Sequence, residues 1–458
     1  MDKKLYILKF GGTSVGKLDG INNIKTILNK ENENNIIKLV VVSAACDSTN
    51  MLENLYLTIV NNEKENFDNL LENYKLHENN LNKSLEIDEY NDYFTDLKNT
   101  FDNYRNQEIK QDKLKDYILS FGELISMNRL YDFLLKENNN QSTKILKIPS
   151  WDLGFIRFEY LNFSFSDTLI QNKLENVIQE NSSFNNIHII TTGFIAKNKN
   201  QEIITLGRGG SDLSATLFAK ALNPIHVQIW SDVPGIMTSN PKYIKNTKLI
   251  NNLTYNEALE LSFFGAKILH PETIKPILKQ EIPVYILNTF DLNSKGTIIT
   301  KFNKSEKRTS IVKCISYNDE NTIIYIEPKN TYITNNFICD VFLMLNNMDI
   351  KCSMISFSKT SLSICIKTEY KSEKLLQTLT FNNTNNIVYT DKIGVVCVVG
   401  ESLYELQGIA SKIFSTVSDC KTNIEMISQS VSQTNILFAI KQDNISNVVQ
   451  KIHDKFCL

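Results

Sequence analysis

The nine residues KFGGTSVGK, from Lys9 to Lys17, place two adjacent glycines between lysines directly behind the apolar run Leu5 to Leu8. That composition suits the binding of phosphate. Gly11 and Gly12 let a bulky anion approach the peptide N–H groups, and Lys9 brings a positive charge from the strand end. Gly11, Gly16 and Lys17 also fit the G-x-x-x-x-G-K spacing of a P-loop, but Leu18 follows where that loop needs a hydroxyl for magnesium. The segment is therefore a glycine-rich, lysine-led phosphate site of another kind. A second anion feature is GRGGSDLSATLFAKAL, residues 207–222. Here Asp212 is expected to cap a helix whose Leu213, Leu217 and Ala221 share an apolar face, leaving the N–H groups of Gly209 to Ser211 at the positive helix end. Arg208 is suited to clamp a carboxylate through two parallel hydrogen bonds. Taken alone, the motif equally describes a tight turn before a core helix.

These loops need elements to position them, and the chain supplies a recurring one. Leu5 to Leu8 runs into FGGTS, Ile36 to Val42 into SAACDSTN, Ile187 to Ile190 into TTGF, and Val227 to Trp230 into SDVPG. Continuous apolar strands belong in a sheet covered on both faces, and ligands gather beyond the carboxyl ends of such strands. The loops should converge on one site. From about Met51 to Leu135 charged and apolar residues interleave without a glycine until Gly122, which predicts a helical layer.

A length of 458 residues implies two or three domains, and 42% hydrophobic residues support ordinary globular folding. With 49 basic and 51 acidic residues, the net charge of -2 offers no field to gather nucleic acid or an anionic membrane. The eight cysteines are dispersed, with no C-x-x-C pair and no neighbouring histidine cluster, so neither a zinc site nor a disulfide framework is expected. No apolar stretch approaches the length of a membrane span and no signal peptide is evident, so the expected compartment is a reducing cytoplasm. No metal ligands are assigned.

Beyond Thr300 a polar linker, KFNKSEKRTS, leads into two similar halves. Val341-Phe342 and Met354-Ile355-Ser356 recur as Ile413-Phe414 and Met426-Ile427-Ser428, each 72 residues later. Each half reads as strand, helix, then two strands joined by a polar turn (358–361 and 430–434), the ferredoxin-like order.

The set KFGGTSVG, the Ser43 to Asn50 loop, Gly122-Glu123-Leu124, TTGF, GRGGSD, SDVPG and GAKILHP resembles, in order and spacing, the aspartokinases, a branch of the amino-acid kinase family. The resemblance covers nearly the whole chain. With the tandem repeat resembling paired ACT domains and the chain stopping at Leu458, it is nearest to the monofunctional, lysine-sensitive type. It implies an α/β architecture: a three-layer αβα amino-acid kinase fold with a mainly parallel sheet over 1–300, and ferredoxin-like ACT domains over 301–384 and 385–458. The activity implied is transfer of the ATP γ-phosphoryl group to the β-carboxylate of aspartate, with Mg2+ carried mostly by ATP and water.

The resemblance also implies roles. Lys9 contacts the transferring phosphate and Asp212 organises that lysine, while Gly11 and Gly12 supply backbone donors. Ser43, Thr49, Glu123 and Arg208 hold aspartate, Glu123 pairing with its ammonium and Arg208 with a carboxylate. Ser231, Asp232, Met237, Lys242, Lys267 and Ile268 line the nucleotide, although Met237 replaces a common tyrosine and Asn240-Pro241-Lys242 the usual Asp-Pro-Arg. His270, before Pro271, reads as structural. At the ACT repeats an amino-acid effector would meet Thr334, Phe337, Ile338, Cys352, Ser353, Ser358 and Lys359. Ser353 and Lys359 stand where acidic residues are common, and a lysine there repels a lysine ligand, so weakened or lost lysine inhibition is expected. A homodimer or dimer of dimers through the repeats follows from the same resemblance. Two other readings stay open: a kinase of glutamate or acetylglutamate, and a catalytically silent amino-acid sensor.

Overall fold

The computed structural model describes residues 3–30, 35–106, 110–138, 140–157, 165–263, 271–301, 312–329, 332–381, 384–400, 403, 407–429, 434–456 and 458. Lys267, Ile268, His270, most of the 301–310 linker and most of the 430–434 turn lie outside them. Packing divides the chain into two units. One comprises Met1–Ile236, Asn251–Tyr255 and Leu269–Phe302; the other comprises Met237–Ile250, Asn256–Ile268 and Asn303–Leu458.

In chain order the strands of the first unit are β1 (Lys4–Phe10), β2 (Ile36–Val42), β3 (Thr143–Lys147), β4 (Ile156–Arg157), β5 (Asn186–Thr192) and β6 (Ile195–Asn198). They continue as β7 (Ile203–Thr205), β8 (His226–Ser231), β9 (Asn252–Thr254), β10 (Val284–Asn288) and β11 (Thr297–Thr300). Eight form one sheet in the order β3-β5-β2-β1-β8-β10-β11-β9, parallel throughout except for the β10–β11 pair. The four apolar runs marked in the sequence are its adjacent central strands, β5, β2, β1 and β8. All seven residues of β2 are buried, as expected of a strand covered on both faces.

Alternation along β1 decides what each face does. Tyr6, Leu8 and Phe10 join a core with Ile21, Ile24 and Ile27 of the helix Leu18–Asn29 and with Leu130, Phe133 and Leu134 of the helix Gln111–Lys136. Lys9 turns to the opposite face with Ile7, where its ammonium meets Asp212 of the helix Gly210–Leu222. Three layers result. The glycine-poor stretch folds as four helices, Ser48–Val60, Lys64–Ser84, Asn91–Arg105 and Gln111–Lys136, with their own core built on Leu52, Phe67, Tyr74, Phe101 and Ile118.

The second unit carries a six-stranded antiparallel sheet of β12 (Cys314–Pro328), β13 (Cys352–Phe357), β14 (Leu362–Lys367), β15 (Thr384–Val399), β16 (Ile424–Gln429) and β17 (Asn435–Lys441). Their order is β13-β14-β12-β15-β17-β16. The 72-residue repeat appears in the elements: the helix Asn335–Asn347 answers Ile409–Asp419, β13 answers β16, and Glu373–Phe381 answers Ile445–Lys455. Each half thus gains a second helix beyond the strand, helix and two strands expected. β12 and β15 are shared between the halves. The part of β12 from Asn321 to Ile326 pairs with β14, while residues from Cys314 to Asn318 pair with the end of β15 that also pairs with β17. Between the two parts the register shifts around Asn318 and Asn321. Opposite this irregularity Gly394 packs so closely that a Cβ would lie 1.9 Å from the Ile445 Cδ1.

Candidate active site

At the carboxyl end of β1 the chain passes through Gly11, whose N–H donates to the Trp230 carbonyl at 3.0 Å, into the single turn Gly12–Val15. Gly12 is required by proximity: a Cβ there would stand 2.7 Å from the Ala44 carbonyl oxygen. The glycine-rich turn is thereby pressed against the loop that follows β2. Lys9 Nζ stands 2.7 Å from Asp212 Oδ1, with the two side chains 11% and 15% exposed, so the pair is sheltered yet still reached by solvent.

Asp212 is not the helix cap the sequence suggested. The capping position is Gly209, at φ 74°, and Asp212 falls in the first turn. Gly207, also at φ 74°, and Gly209 supply left-handed conformations that bring the chain into the helix three residues earlier. This leaves the Asp212 carboxylate free to meet Lys9 rather than a backbone N–H.

Glu123 enters from the middle of the helix Gln111–Lys136. Its Oε1 accepts from the Ala44 N–H at 3.1 Å, while Oε2 is buried with no hydrogen-bond partner among the described residues. Gly122 permits this approach, since a Cβ there would lie 2.7 Å from that of Ala44. Burial pushes the Glu123 carboxyl up to about 8, against the opposing pull of the Ala44 N–H, its own backbone N–H and the Lys9 charge. A buried carboxyl with an unused oxygen is suited to receive a cationic donor, such as an ammonium group.

Of the remaining expected residues, Ser43 is half-buried and its N–H donates to the Phe10 carbonyl at 3.2 Å. Thr49 and Arg208 are exposed, the first in the opening turn of the helix Ser48–Val60 and the second in the 207–209 turn. Beyond β8, the Asp232 carboxylate accepts from Thr13 Oγ1 at 3.4 Å, and the Ser231 carbonyl accepts from the Thr289 N–H at 2.8 Å. The buried Ser14 and Thr289 hydroxyls are linked at 2.7 Å. Thr13, Ser14 and Thr289 were not assigned from sequence; the hydroxyls inside GGTS are the signal for the first two, and Thr289 has none. The first unit therefore joins Lys9, Gly11, Gly12, Glu123, Asp212, Ser231 and Asp232 around the ends of β1, β2 and β8.

Met237 and Lys242 belong to the second unit. Met237 bridges Leu249, and its carbonyl accepts from Cys314 Sγ at 3.3 Å; Lys242 Nζ sits 5.3 Å from the centroid of the Tyr243 ring. Several residues expected to meet an effector are engaged locally. Thr334 caps the helix Asn335–Asn347 by accepting from the Phe337 N–H, and Phe337 is buried. Ser353 donates to the Cys365 carbonyl at 3.1 Å, and burial pushes the Cys352 thiol up to about 11. Ser358 closes the turn with Ser361, and the exposed Lys359 offers its carbonyl to Ile333. Ile338 is half-buried. Among the described residues no group of three or more His, Cys, Asp or Glu side chains gathers to hold a metal ion, and no helix is long and apolar enough to cross a membrane.

Comparison with known proteins agrees with this architecture. The amino acid kinase family profile matches residues 4–288, and an ACT domain profile matches residues 396–456. A bifunctional aspartokinase/homoserine dehydrogenase of Buchnera aphidicola (subsp. Acyrthosiphon pisum) is 33% identical over 98% of this chain, which spans only 56% of that relative's length. The lysine-sensitive aspartokinase 3 of Escherichia coli K12 is 28% identical, with 98% of each chain covered. The crystal structure of E. coli aspartokinase III in complex with aspartate and ADP superposes with a TM-score of 0.81 at 25% identity, covering 99% of this chain and 100% of that one. The chain belongs to the amino acid kinase family, with an ACT domain toward its C-terminal end.

Proposed function

We propose that the protein is an aspartate kinase, transferring the γ-phosphoryl group of ATP to the β-carboxylate of L-aspartate to give 4-phospho-L-aspartate, the first step of aspartate-family amino-acid biosynthesis. The observation that carries this reading is the sheltered Lys9–Asp212 pair facing a glycine-rich turn, in a site that also holds a buried Glu123 with one unused oxygen. The likeness to an aspartokinase solved with aspartate and ADP supports the choice of substrates.

The chemistry suits these residues. The side-chain carboxyl of aspartate, with a reference pKa of about 3.9, is ionised at neutral pH and needs no general base. The difficulty is to bring an anionic nucleophile in line with an anionic phosphate, which calls for fixed cations and N–H dipoles. Lys9, held in place by Asp212, supplies a cation at the transferring group, and Gly11 and Gly12 supply donors. Ser43, Thr49, Glu123 and Arg208 hold aspartate, with Glu123 on the ammonium and Arg208 on a carboxylate. Ser231, Asp232, Met237, Lys242, Lys267 and Ile268 line the nucleotide. A magnesium ion carried by ATP would screen its phosphates.

In the same reading residues 1–300 form the catalytic domain, and 301–384 and 385–458 form an ACT pair through which a homodimer or dimer of dimers assembles in the cytoplasm. An amino-acid effector meets Thr334, Phe337, Ile338, Cys352, Ser353, Ser358 and Lys359, with lysine inhibition weakened by Lys359. A coupled assay of ADP release with aspartate, glutamate or acetylglutamate tests the reading. Turnover with aspartate alone supports it, and preference for another acid rejects it. Repeating the assay across a lysine titration tests the regulatory part, where strong inhibition at low concentration would reject the weakening.

A further inference from the structure

Asp47 is a non-glycine residue in the left-handed conformation, at φ 63° and ψ -16°, and it sits at the cap of the helix Ser48–Val60 without making a side-chain capping bond. Such a conformation persists when flanking contacts over-determine it. Both neighbours of Asp47 are held by consecutive residues of the helix Lys64–Ser84. His77 Nε2 lies 3.0 Å from the Cys46 carbonyl oxygen, and the buried Glu78 carboxylate accepts from Ser48 Oγ. Cys46 Sγ in turn reaches the Gly12 carbonyl at 3.4 Å.

Glu78 is itself locked from behind. Arg129, fully buried, pairs with Glu78 Oε2 through Nη2, donates to the Glu78 carbonyl at 3.3 Å, and donates from Nε to Asn82 Oδ1 at 2.6 Å. Arg129 lies on the same helix as Glu123, six residues on. The helix that offers Glu123 to Ala44 thus also fixes, through Arg129 and Glu78, the other end of the 43–50 loop. Tyr74, buried with its phenol pushed up by burial and by the Glu78 and Glu123 carboxylates, lies near both acids.

We infer that Glu78 and His77 are positioning residues for the substrate loop: they clamp residues 46–48 so that Ser43, Ala44 and Thr49 keep the geometry that receives the amino acid. The inference rests on the reading of that loop as the aspartate-binding segment. The clamp reaches substrate only through the loop, so its loss should weaken aspartate binding and leave ATP binding in place.

The experiment uses the full-length chain with Ser48→Ala, which removes one tether and strands no charge, and Ser126→Ala, which removes a buried hydroxyl of the same helical layer that makes no hydrogen bond to the described residues. Ser48→Ala is expected to raise the KM for aspartate about tenfold, the loss of roughly one hydrogen bond's worth of positioning, with kcat and the KM for ATP within about twofold. Amide hydrogen exchange of residues 44–51 should quicken about tenfold while that of 64–84 stays unchanged. Ser126→Ala should do neither. Unchanged loop exchange in Ser48→Ala, or an equal change in Ser126→Ala, overturns the clamp. Loosened exchange in a protein that turns over no aspartate leaves the clamp standing and rejects the substrate reading instead.

Discussion

Two ion pairs of the first unit, Glu78–Arg129 and Lys9–Asp212, differ in what surrounds them. Glu78–Arg129 is sealed, at 2% and 1% side-chain exposure, and its remaining hydrogen bonds go to Asn82, Ser48 and backbone. Lys9–Asp212 is sheltered but reachable, at 11% and 15%, and it faces a turn of glycines. A sealed pair contributes shape, because removing one partner leaves an uncompensated buried charge. An open-sided pair keeps a cation in place while leaving it available to an incoming anion. In the proposed reading the same charge chemistry serves scaffold in one place and reaction in the other, and the surroundings decide which.

The sharpest break in that comparison is Lys9→Met. It should lower kcat by about a thousandfold, the scale of losing one electrostatic stabiliser of the transition state, with the melting temperature little changed. The sealed pair should respond in the opposite sense. Arg129→Leu should cost about 3–5 kcal/mol of stability, measured by urea unfolding, and the double variant Glu78→Leu/Arg129→Leu should recover much of that loss. Equal losses in the single and double variants would mean that the charges do not answer one another. Next in size is Gly12→Ala, where the added Cβ meets backbone 2.7 Å away; a loss of about 1–3 kcal/mol with reduced turnover is expected.

The smallest effect is a pH dependence. Glu123 holds its proton more tightly folded than unfolded, so its contribution to stability is full below about pH 4.5 and is lost as pH rises through about 8. Melting temperature followed over that window should fall more in wild type than in Glu123→Gln. Aspartate binding near pH 7 should release protons, as an ammonium on the free oxygen lowers the carboxyl's pKa. Calorimetry in buffers of different ionisation enthalpy measures this, and no proton release would remove the ammonium role.

Much of the fold was legible because it is encoded locally. The central strands β1, β2, β5 and β8 are continuous apolar runs ending in small-residue loops, and the ACT repeat announces itself by a constant spacing. The motif residues that meet in the first unit, from Lys9 and Gly12 to Asp232, do so because parallel strands deliver their carboxyl ends to one edge of the sheet. What could not be read was set by distance and by competition. Glu78 and Arg129 are 51 residues apart and follow no local pattern; each looked like an ordinary charge on a helix. Asp212 has the residue type and the place of a cap, but two positive-φ glycines gave the position to Gly209. The sharing of β12 and β15 depends on pairing across about 70 residues, which hydrophobic pattern does not specify.

The most direct test of the account is ATP-dependent formation of an acyl phosphate on aspartate, trapped with hydroxylamine as the hydroxamate, in wild type beside Lys9→Met under saturating substrates. Hydroxamate from wild type and about a thousandth of that rate from Lys9→Met is the predicted result. Equal rates from the two proteins, or no hydroxamate from wild type, would contradict it.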